Sequence, residues 1–140
     1  MEFIHEKIDM GYDDLDRAEH ADGRRYVTLD GNAYPSVTTV LSIIHEEKIA
    51  AWRKKVGEEK ANQIGTQAAN RGTLVHEIIE KYLHNEDTSD YLPHIQQSLK
   101  NLKPLLDKHI TKVYATEAPL YSDHLKLAGT CDCIAEWDGV

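Results

Sequence analysis

The sequence predicts a mixed α and β fold in which several helices precede a pair of adjacent strands. Between residues 36 and 110, apolar side chains recur at intervals of three and four, which is the period of an amphipathic helix. After Thr111 the apolar residues alternate with a period of two, as they do in strands with two different faces. A chain of 140 residues, 41% hydrophobic and 29% charged, is long enough to bury one globular core.

Residues 1–23 differ in composition from the rest of the chain. They contain eight acidic and two basic residues and few large apolar ones, so we expect a flexible leader ahead of a domain that spans 24–140. The leader lacks the basic and apolar regions of a signal peptide. No apolar run approaches the roughly 20 residues of a membrane helix. We therefore expect a cytoplasmic protein, in the host cytoplasm if the chain is viral, with no membrane partner.

A hairpin and two helices are predicted at the start of this domain. Alternating residues flank a turn at 30–32, Asp-Gly-Asn, which favours a short β-hairpin. Ser36 follows, and its hydroxyl is suited to cap a helix over 37–44. A second helix is expected over 47–56.

Three further helical segments are predicted before the strands. Residues 58–70 have helical character, and we expect Gly72 to break this helix. Thr73 is suited to cap the next one. A last helix is expected over 92–110, with a kink or an end at Pro104.

Two polar side chains share one side of the helix predicted to follow Gly72. Apolar residues occupy about half of its circumference, and His76 and Glu80, four residues apart, lie together at the margin of that apolar arc. An imidazole next to a carboxylate at the edge of a core is half of a metal site. The alternative is an edge histidine beside a solvated glutamate.

Two carboxylates fall within the predicted strands, Glu117 in 113–121 and Asp132 in 127–137. An acid in a strand is costly to bury unless it is paired or bound to a metal. Together with the helix that offers His76, these carboxylates outline a divalent-cation site. One continuous apolar face is expected in the second strand, formed by Leu127, Gly129, Cys131, Cys133, Ala135 and Trp137.

Simpler roles exist for each of these groups. Glu117 could pair with Lys112 or Lys126, and Asp132 could be an ordinary edge-facing acid. A third possibility is a small zinc module that uses the two cysteines with His124 or His76, although structural zinc sites usually group their ligands more tightly.

The charge distribution is compatible with a nucleic-acid partner. The net charge is −8, but residues 24–71 contain eight basic and five acidic residues. Trp52 is followed by three basic residues, a combination that suits either a core anchor on a solvated helix or contact with a base and its phosphates.

The last residues predict a tight turn. Asp138-Gly139 is a strong two-residue hairpin signal, and only Val140 follows it. We therefore expect a further strand beyond residue 140, and a domain that is C-terminally incomplete at this point.

Three blocks of the sequence, taken in order, resemble a known family. They are YPSVTTVLS at 34–42, RGTLVHEIIEKYL at 71–83 and LAGTCDCIAEWDG at 127–139. In these blocks the chain resembles the PD-(D/E)xK nucleases of the RecB-like exonuclease group, and most closely phage exonucleases similar to the mitochondrial genome maintenance exonuclease.

This resemblance implies a restriction-endonuclease-like core and a divalent-metal-dependent DNA exonuclease that uses Mg²⁺ or Mn²⁺ in phage-type DNA processing, repair or recombination. It assigns His76, Asp132 and Glu117 as metal ligands, and with Glu80 they form the implied catalytic set. The substrate would be single-stranded DNA or DNA ends. The residues implied to face the nucleic acid are Ser36, Thr38, Thr39, Arg53 and Arg71.

The chain departs from the family pattern in one respect. The resembling enzymes complete their site with [D/E]-x-K on the strand that follows the Asp132 block, and residues 133–140 contain no such motif; Lys126 precedes Asp132 and cannot replace the lysine. We therefore expect weak metal binding, and slow cleavage or none, from these residues alone. The alternatives are a catalytically inactive DNA-binding remnant, or one half of a split nuclease that a second chain completes.

Overall fold

A computed structural model of the chain describes residues 2–140, and it confirms the mixed α and β class. These residues form six strands and three helices. In chain order they are β1 Ile4–His5, β2 Asp16–His20, β3 Gly23–Val27, β4 Ala33–Pro35, α1 Val37–Val56, α2 Glu58–Leu83, α3 Pro93–His109, β5 Ile110–Ser122 and β6 Leu127–Trp137. The restriction-endonuclease-like core stays a prediction.

The strands form two three-stranded sheets within the described residues. One has the order β1-β5-β6, with β1 parallel to β5, and the other has the order β2-β3-β4. The predicted hairpin is confirmed, because β3 and β4 pair antiparallel with Val27 opposite Ala33. The strand β2 was not predicted, and it pairs antiparallel with β3. Gly23 begins β3 at φ +117°, and a Cβ there would lie 2.5 Å from Thr39 Cγ2, so only glycine fits.

The chain divides into two compact units, each built from separated segments. The first unit contains Met1–Ile8, Glu59–Thr116 and Asp132–Val140. The second contains Asp9–Glu58 and Glu117–Cys131. Both long strands, β5 and β6, contribute residues to each unit.

The core of the first unit is formed mainly by α2 and α3. Ile78 and Ile95, both 0% exposed, lie in one cluster with Leu99. A second cluster joins Leu83 of α2 and Leu106 of α3 to two residues of β5 and to the residue before β1; its members are Phe3, Leu83, Leu106, Ile110 and Val113. Full burial of each such aliphatic side chain contributes roughly 1.5–3 kcal/mol, so these contacts fix α2 against α3.

The N-terminal residues contribute to this unit. Phe3 is 5% exposed, its amide donates to Asn85 Oδ1 at 2.7 Å, and Asn85 Nδ2 donates back to the Phe3 carbonyl at 3.0 Å. The next two residues form β1, and His5 Nε2 lies 2.8 Å from the Leu83 carbonyl oxygen. The sequence predicted a flexible leader over residues 1–23, whereas this range contains β1 and β2 and two core side chains, Phe3 and Leu15.

The second unit has a smaller core rich in tyrosine. Its buried residues are Leu15, Tyr26, Tyr34 and Ala128. Tyr34 donates its phenolic hydrogen to Asp123 Oδ1 at 2.6 Å, which ties β4 to the turn between β5 and β6. Because a buried phenol requires a polar partner, this bond allows the tyrosine to serve in the core.

Two of the predicted helix boundaries are wrong. The chain forms one continuous α1 over Val37–Val56, where we expected two helices. Likewise α2 passes through Gly72 without a break, and Thr73 lies inside it and donates its hydroxyl to the Ala69 carbonyl at 3.1 Å. A single glycine costs a helix only about 1 kcal/mol. The burial of Ile78 and Leu83, which follow Gly72 in α2, outweighs this cost.

Two local predictions are confirmed, and a third differs in detail. Ser36 caps α1 by accepting a hydrogen bond from the Thr39 amide at 3.0 Å, as expected. The turn at Asp138-Gly139 is confirmed, since Trp137 and Val140 exchange both backbone hydrogen bonds, at 3.0 and 3.1 Å. Pro104 lies inside α3, which continues to His109 instead of ending at the proline.

None of the helices in the described part of the chain is both long and apolar enough to cross a membrane.

Tyr82 makes the stability of the first unit dependent on pH in the alkaline range. Its hydroxyl donates to Asp107 Oδ1, and burial together with this bond raises the pKa of Tyr82 from 10.0 to about 12. The folded state therefore favours the neutral phenol. This contribution is fully present below pH 10 and is lost as the pH rises toward 12.

We predict that Tyr82→Phe lowers the free energy of unfolding by about 1 kcal/mol at pH 7, because one hydrogen bond is lost. Urea unfolding at pH 7, 9 and 11 checks this. The difference between the two proteins should shrink above pH 10, where the wild type alone loses the contribution of the neutral phenol. A difference that stays constant from pH 7 to 11 would contradict the assigned role.

Candidate metal centre

The first unit brings His76 and Asp132 together. His76 lies on α2 and Asp132 on β6, and His76 Nδ1 is 3.4 Å from Asp132 Oδ1. Ile78, two residues after His76, points into the core, so the helix turns the imidazole outward. The predicted proximity of these two residues is therefore present in the structure.

Both side chains are open to solvent, at 58% for His76 and 68% for Asp132. An ion pair this exposed contributes at most about 1 kcal/mol, and screening by salt reduces it further. The pair is therefore a poor explanation for stability. Its imidazole nitrogen and carboxylate oxygen are both ligand types for first-row divalent metals, and solvent access leaves room for water ligands.

Glu80 lies one turn along α2 from His76 and has fixed partners. Thr116 Oγ1, on β5, lies 3.1 Å from Glu80 Oε1 and donates to it. His84 Nε2 lies 2.8 Å from the same hydroxyl oxygen and 3.9 Å from Glu80 Oε1. A threonine between a helix carboxylate and an imidazole thus holds Glu80 in place while its side chain stays 40% exposed.

Glu117 is the residue after Thr116 in β5 and begins the later of the two segments that form the second unit. It is exposed, and its backbone has φ 48°, the left-handed region, which non-glycine residues rarely adopt inside a strand. Such conformations concentrate at functional sites, because the surrounding structure must stabilise them. Lys112, one of its two candidate ion-pair partners, instead pairs with Glu6 at 3.0 Å.

Four of the five residues expected to face nucleic acid lie in the second unit. Ser36 is only 2% exposed, and its hydroxyl is engaged by Thr38 and Thr39 at the start of α1. Arg53 pairs with Glu58 at 2.6 Å. The fifth residue, Arg71, is exposed on α2 in the first unit. The structure thus gives Ser36 a capping role, and contact with nucleic acid stays a prediction for all five.

A cavity of about 520 Å³ opens in the second unit beside the start of α1. Its lining is largely apolar, and Arg24 is its one charged residue. A cleft of this size and composition is typical of sites that bind small or flat ligands. Sequence reasoning did not find it, because its walls come from β3, α1, β5 and β6, which are distant along the chain.

The zinc alternative finds no support in the described residues. No cluster of three ligand-bearing side chains in residues 2–140 includes Cys131 or Cys133. Both cysteines are half-buried thiols, and Cys133 packs against the core of the first unit. They therefore behave as small core side chains, as the sequence analysis favoured.

Two residues at the site were missed by the sequence analysis. His84 follows Glu80 by four positions, so His76, Glu80 and His84 form one stripe, a signal that was readable in the sequence. Thr116 carried no such signal, since its role depends on how β5 packs on α2.

Comparison with known proteins does not add a family: no protein-family model matches the chain, and no curated protein is similar to it. The interpretation of the site therefore depends on the residues and on their geometry.

We predict that truncating Ile78 strongly lowers the stability of the protein, whereas truncating His76, two residues earlier on α2, hardly changes it. Ile78→Ala should lower the free energy of unfolding by about 2–5 kcal/mol, because it opens a cavity in a fully buried cluster. His76→Ala should change it by about 0.5 kcal/mol or less, because the imidazole is exposed. Urea denaturation monitored by circular dichroism measures both. A large loss in His76→Ala would show that the imidazole has a structural role and contradict this prediction.

Proposed function

We propose that this chain carries the metal-binding part of a divalent-metal-dependent DNA exonuclease that hydrolyses phosphodiester bonds. The observation that carries the proposal is the approach of His76 Nδ1 to Asp132 Oδ1, 3.4 Å apart on a helix and a strand distant in sequence. The three blocks that resemble RecB-like nucleases contain both residues. Without a metal, the exposed pair has little energetic reason to be held together.

The donor set fits Mg²⁺ or Mn²⁺. Asp132 supplies a carboxylate oxygen, the ligand type that both cations prefer, and His76 adds an imidazole nitrogen, a ligand for first-row divalent metals such as manganese. Glu117 is proposed as the third ligand because the family resemblance implies it, and its left-handed backbone, rare inside a strand, is a conformation that concentrates at functional sites. When bound, the cation would polarise the scissile phosphate and lower the pKa of the attacking water.

The other proposed roles belong to side chains of this chain. Glu80, fixed by Thr116 and open to solvent, is placed to accept a hydrogen bond or a proton from water at its carboxylate. Arg71 and the basic last turn of α1, which contains Lys54 and Lys55, are proposed to contact DNA phosphates. The expected substrate is single-stranded DNA or a DNA end.

A DNA-binding protein without catalysis is the alternative. It is favoured by the basic last turn of α1. It predicts salt-sensitive binding to single-stranded DNA that persists in EDTA, because phosphate contacts need no metal. Fluorescence anisotropy with a labelled oligonucleotide at two salt concentrations distinguishes this case.

We predict that the wild-type chain binds Mn²⁺ and that His76→Ala and Asp132→Asn each weaken binding by at least about tenfold, because each removes a ligand. Isothermal titration calorimetry measures the affinity. His94→Ala and Asp90→Asn are matched controls, since both positions are exposed in the first unit and outside the proposed centre; they should bind Mn²⁺ like the wild type.

Cleavage of an end-labelled oligonucleotide should require Mn²⁺ or Mg²⁺, stop in EDTA and disappear in the same two variants. Wild-type affinity in both variants would refute the assigned centre, and metal-independent DNA binding alone would favour the alternative.

A further inference from the structure

Glu80, Thr116 and His84 form a hydrogen-bonded chain in the first unit. Thr116 Oγ1 lies 3.1 Å from Glu80 Oε1 and 2.8 Å from His84 Nε2, so one hydroxyl contacts both groups. A hydroxyl has a single hydrogen to donate, and an ionised carboxylate only accepts. The Thr116 hydrogen therefore points to Glu80, and His84 must donate its Nε2 hydrogen to Thr116. The hydrogen bonds therefore run in one direction, from His84 to Thr116 and from Thr116 to Glu80.

This direction requires a hydrogen on His84 Nε2, which excludes the Nδ1-H tautomer. The Nδ1-H tautomer would present a lone pair at Nε2, and Thr116 could then satisfy only one of its two neighbours. The stacked ring of His5, with centroids 5.0 Å apart and an interplanar angle of 19°, holds the imidazole plane of His84. His5 is fixed in turn by its contact with the Leu83 carbonyl. The orientation of Glu80 thus depends on side chains that lie outside the proposed metal ligands.

We propose that Thr116 and His84 are positioning residues that hold the Glu80 carboxylate beside the hydration shell of the cation. The inference rests on the proposed function. Cβ atoms four residues apart on a helix are about 5–6 Å apart, which places Glu80 one turn from His76 and suits contact through water. Mg²⁺ and Mn²⁺ sites commonly keep several water ligands, and a fixed carboxylate that accepts from such water strengthens binding.

Glu80 is the carboxylate that contacts this hydrogen-bonded series. It faces His84 from α2, and Thr116 approaches it from β5. Glu6, the residue after His5, pairs instead with Lys112 at 3.0 Å.

The test compares two threonines of β5 that each donate to a glutamate. Thr116→Val should weaken Mn²⁺ binding by about tenfold, the lower end of the loss found when a hydrogen-bond partner outside the metal's ligands is removed. Thr116→Ser keeps the hydroxyl and should bind within about twofold of the wild type. Thr111 donates to Glu136 in the same unit, so Thr111→Val is the matched control and should leave the affinity unchanged.

Two further measurements separate positioning from a loss of structure. Long-range ¹⁵N–¹H correlation spectra of the metal-free protein should show His84 as the Nε2-H tautomer in the wild type, and Thr116→Val should reduce that preference. Adding His84→Ala to Thr116→Val should weaken Mn²⁺ binding by less than about twofold more, because His84 acts through Thr116.

The possible outcomes are distinct. If the wild type binds Mn²⁺ but Thr116→Val binds equally well, or if His84 is the Nδ1-H tautomer, the positioning role is overturned and the proposed function stands. If the wild type binds no Mn²⁺, the proposed function fails, and the positioning role fails with it. Weaker binding in Thr116→Val, rescue by Thr116→Ser and an unchanged Thr111→Val support the inference.

Discussion

The burial of Ile78 against the α3 side chains Ile95 and Leu99 is the constraint on which the candidate centre depends. Ile78 and Ile95 are both 0% exposed, so α2 has one rotation about its axis that keeps this cluster dry. That rotation turns His76 outward and places Glu80 against Thr116 of β5. The positions of the polar groups are thus set by an apolar contact, and a different rotation of α2 would separate them.

Much of the fold was readable from periodicity and turn chemistry. The shift from helical to alternating pattern located β5 and β6, and the Ser36 cap and the Asp138-Gly139 turn followed from local rules. The interruption expected at Gly72 failed because local propensity competes with burial further along the helix. The single apolar face expected for β6 also failed: Ala128 lies in the core of one unit, whereas Ala135 packs in the other, so the strand serves two cores.

The candidate centre, like the fold, could be predicted only in part from the sequence. His76 and Asp132 could be named from the sequence, because residue type and helical or strand spacing restrict where such ligands occur. The hydrogen bond that holds Glu80 could not be predicted, since the Thr116 hydroxyl reaches Glu80 only through the packing of β5 on α2. The left-handed backbone of Glu117 is likewise invisible in its residue type. Tertiary contacts decide such features, and one sequence carries no direct record of them.

The parallel pairing of β1 with β5 determines the order in which the two sheets can form. Ile4 pairs with Lys112 and His5 with Val113, so β1 has no partner until the ribosome has synthesised β5. Contacts between residues so distant in sequence form slowly, because the loop between them must close first. The second unit has its β2-β3-β4 sheet within Asp16–Pro35 and can pair these strands during synthesis. The sheet that carries Asp132 can therefore include β1 only after the ribosome has synthesised β5.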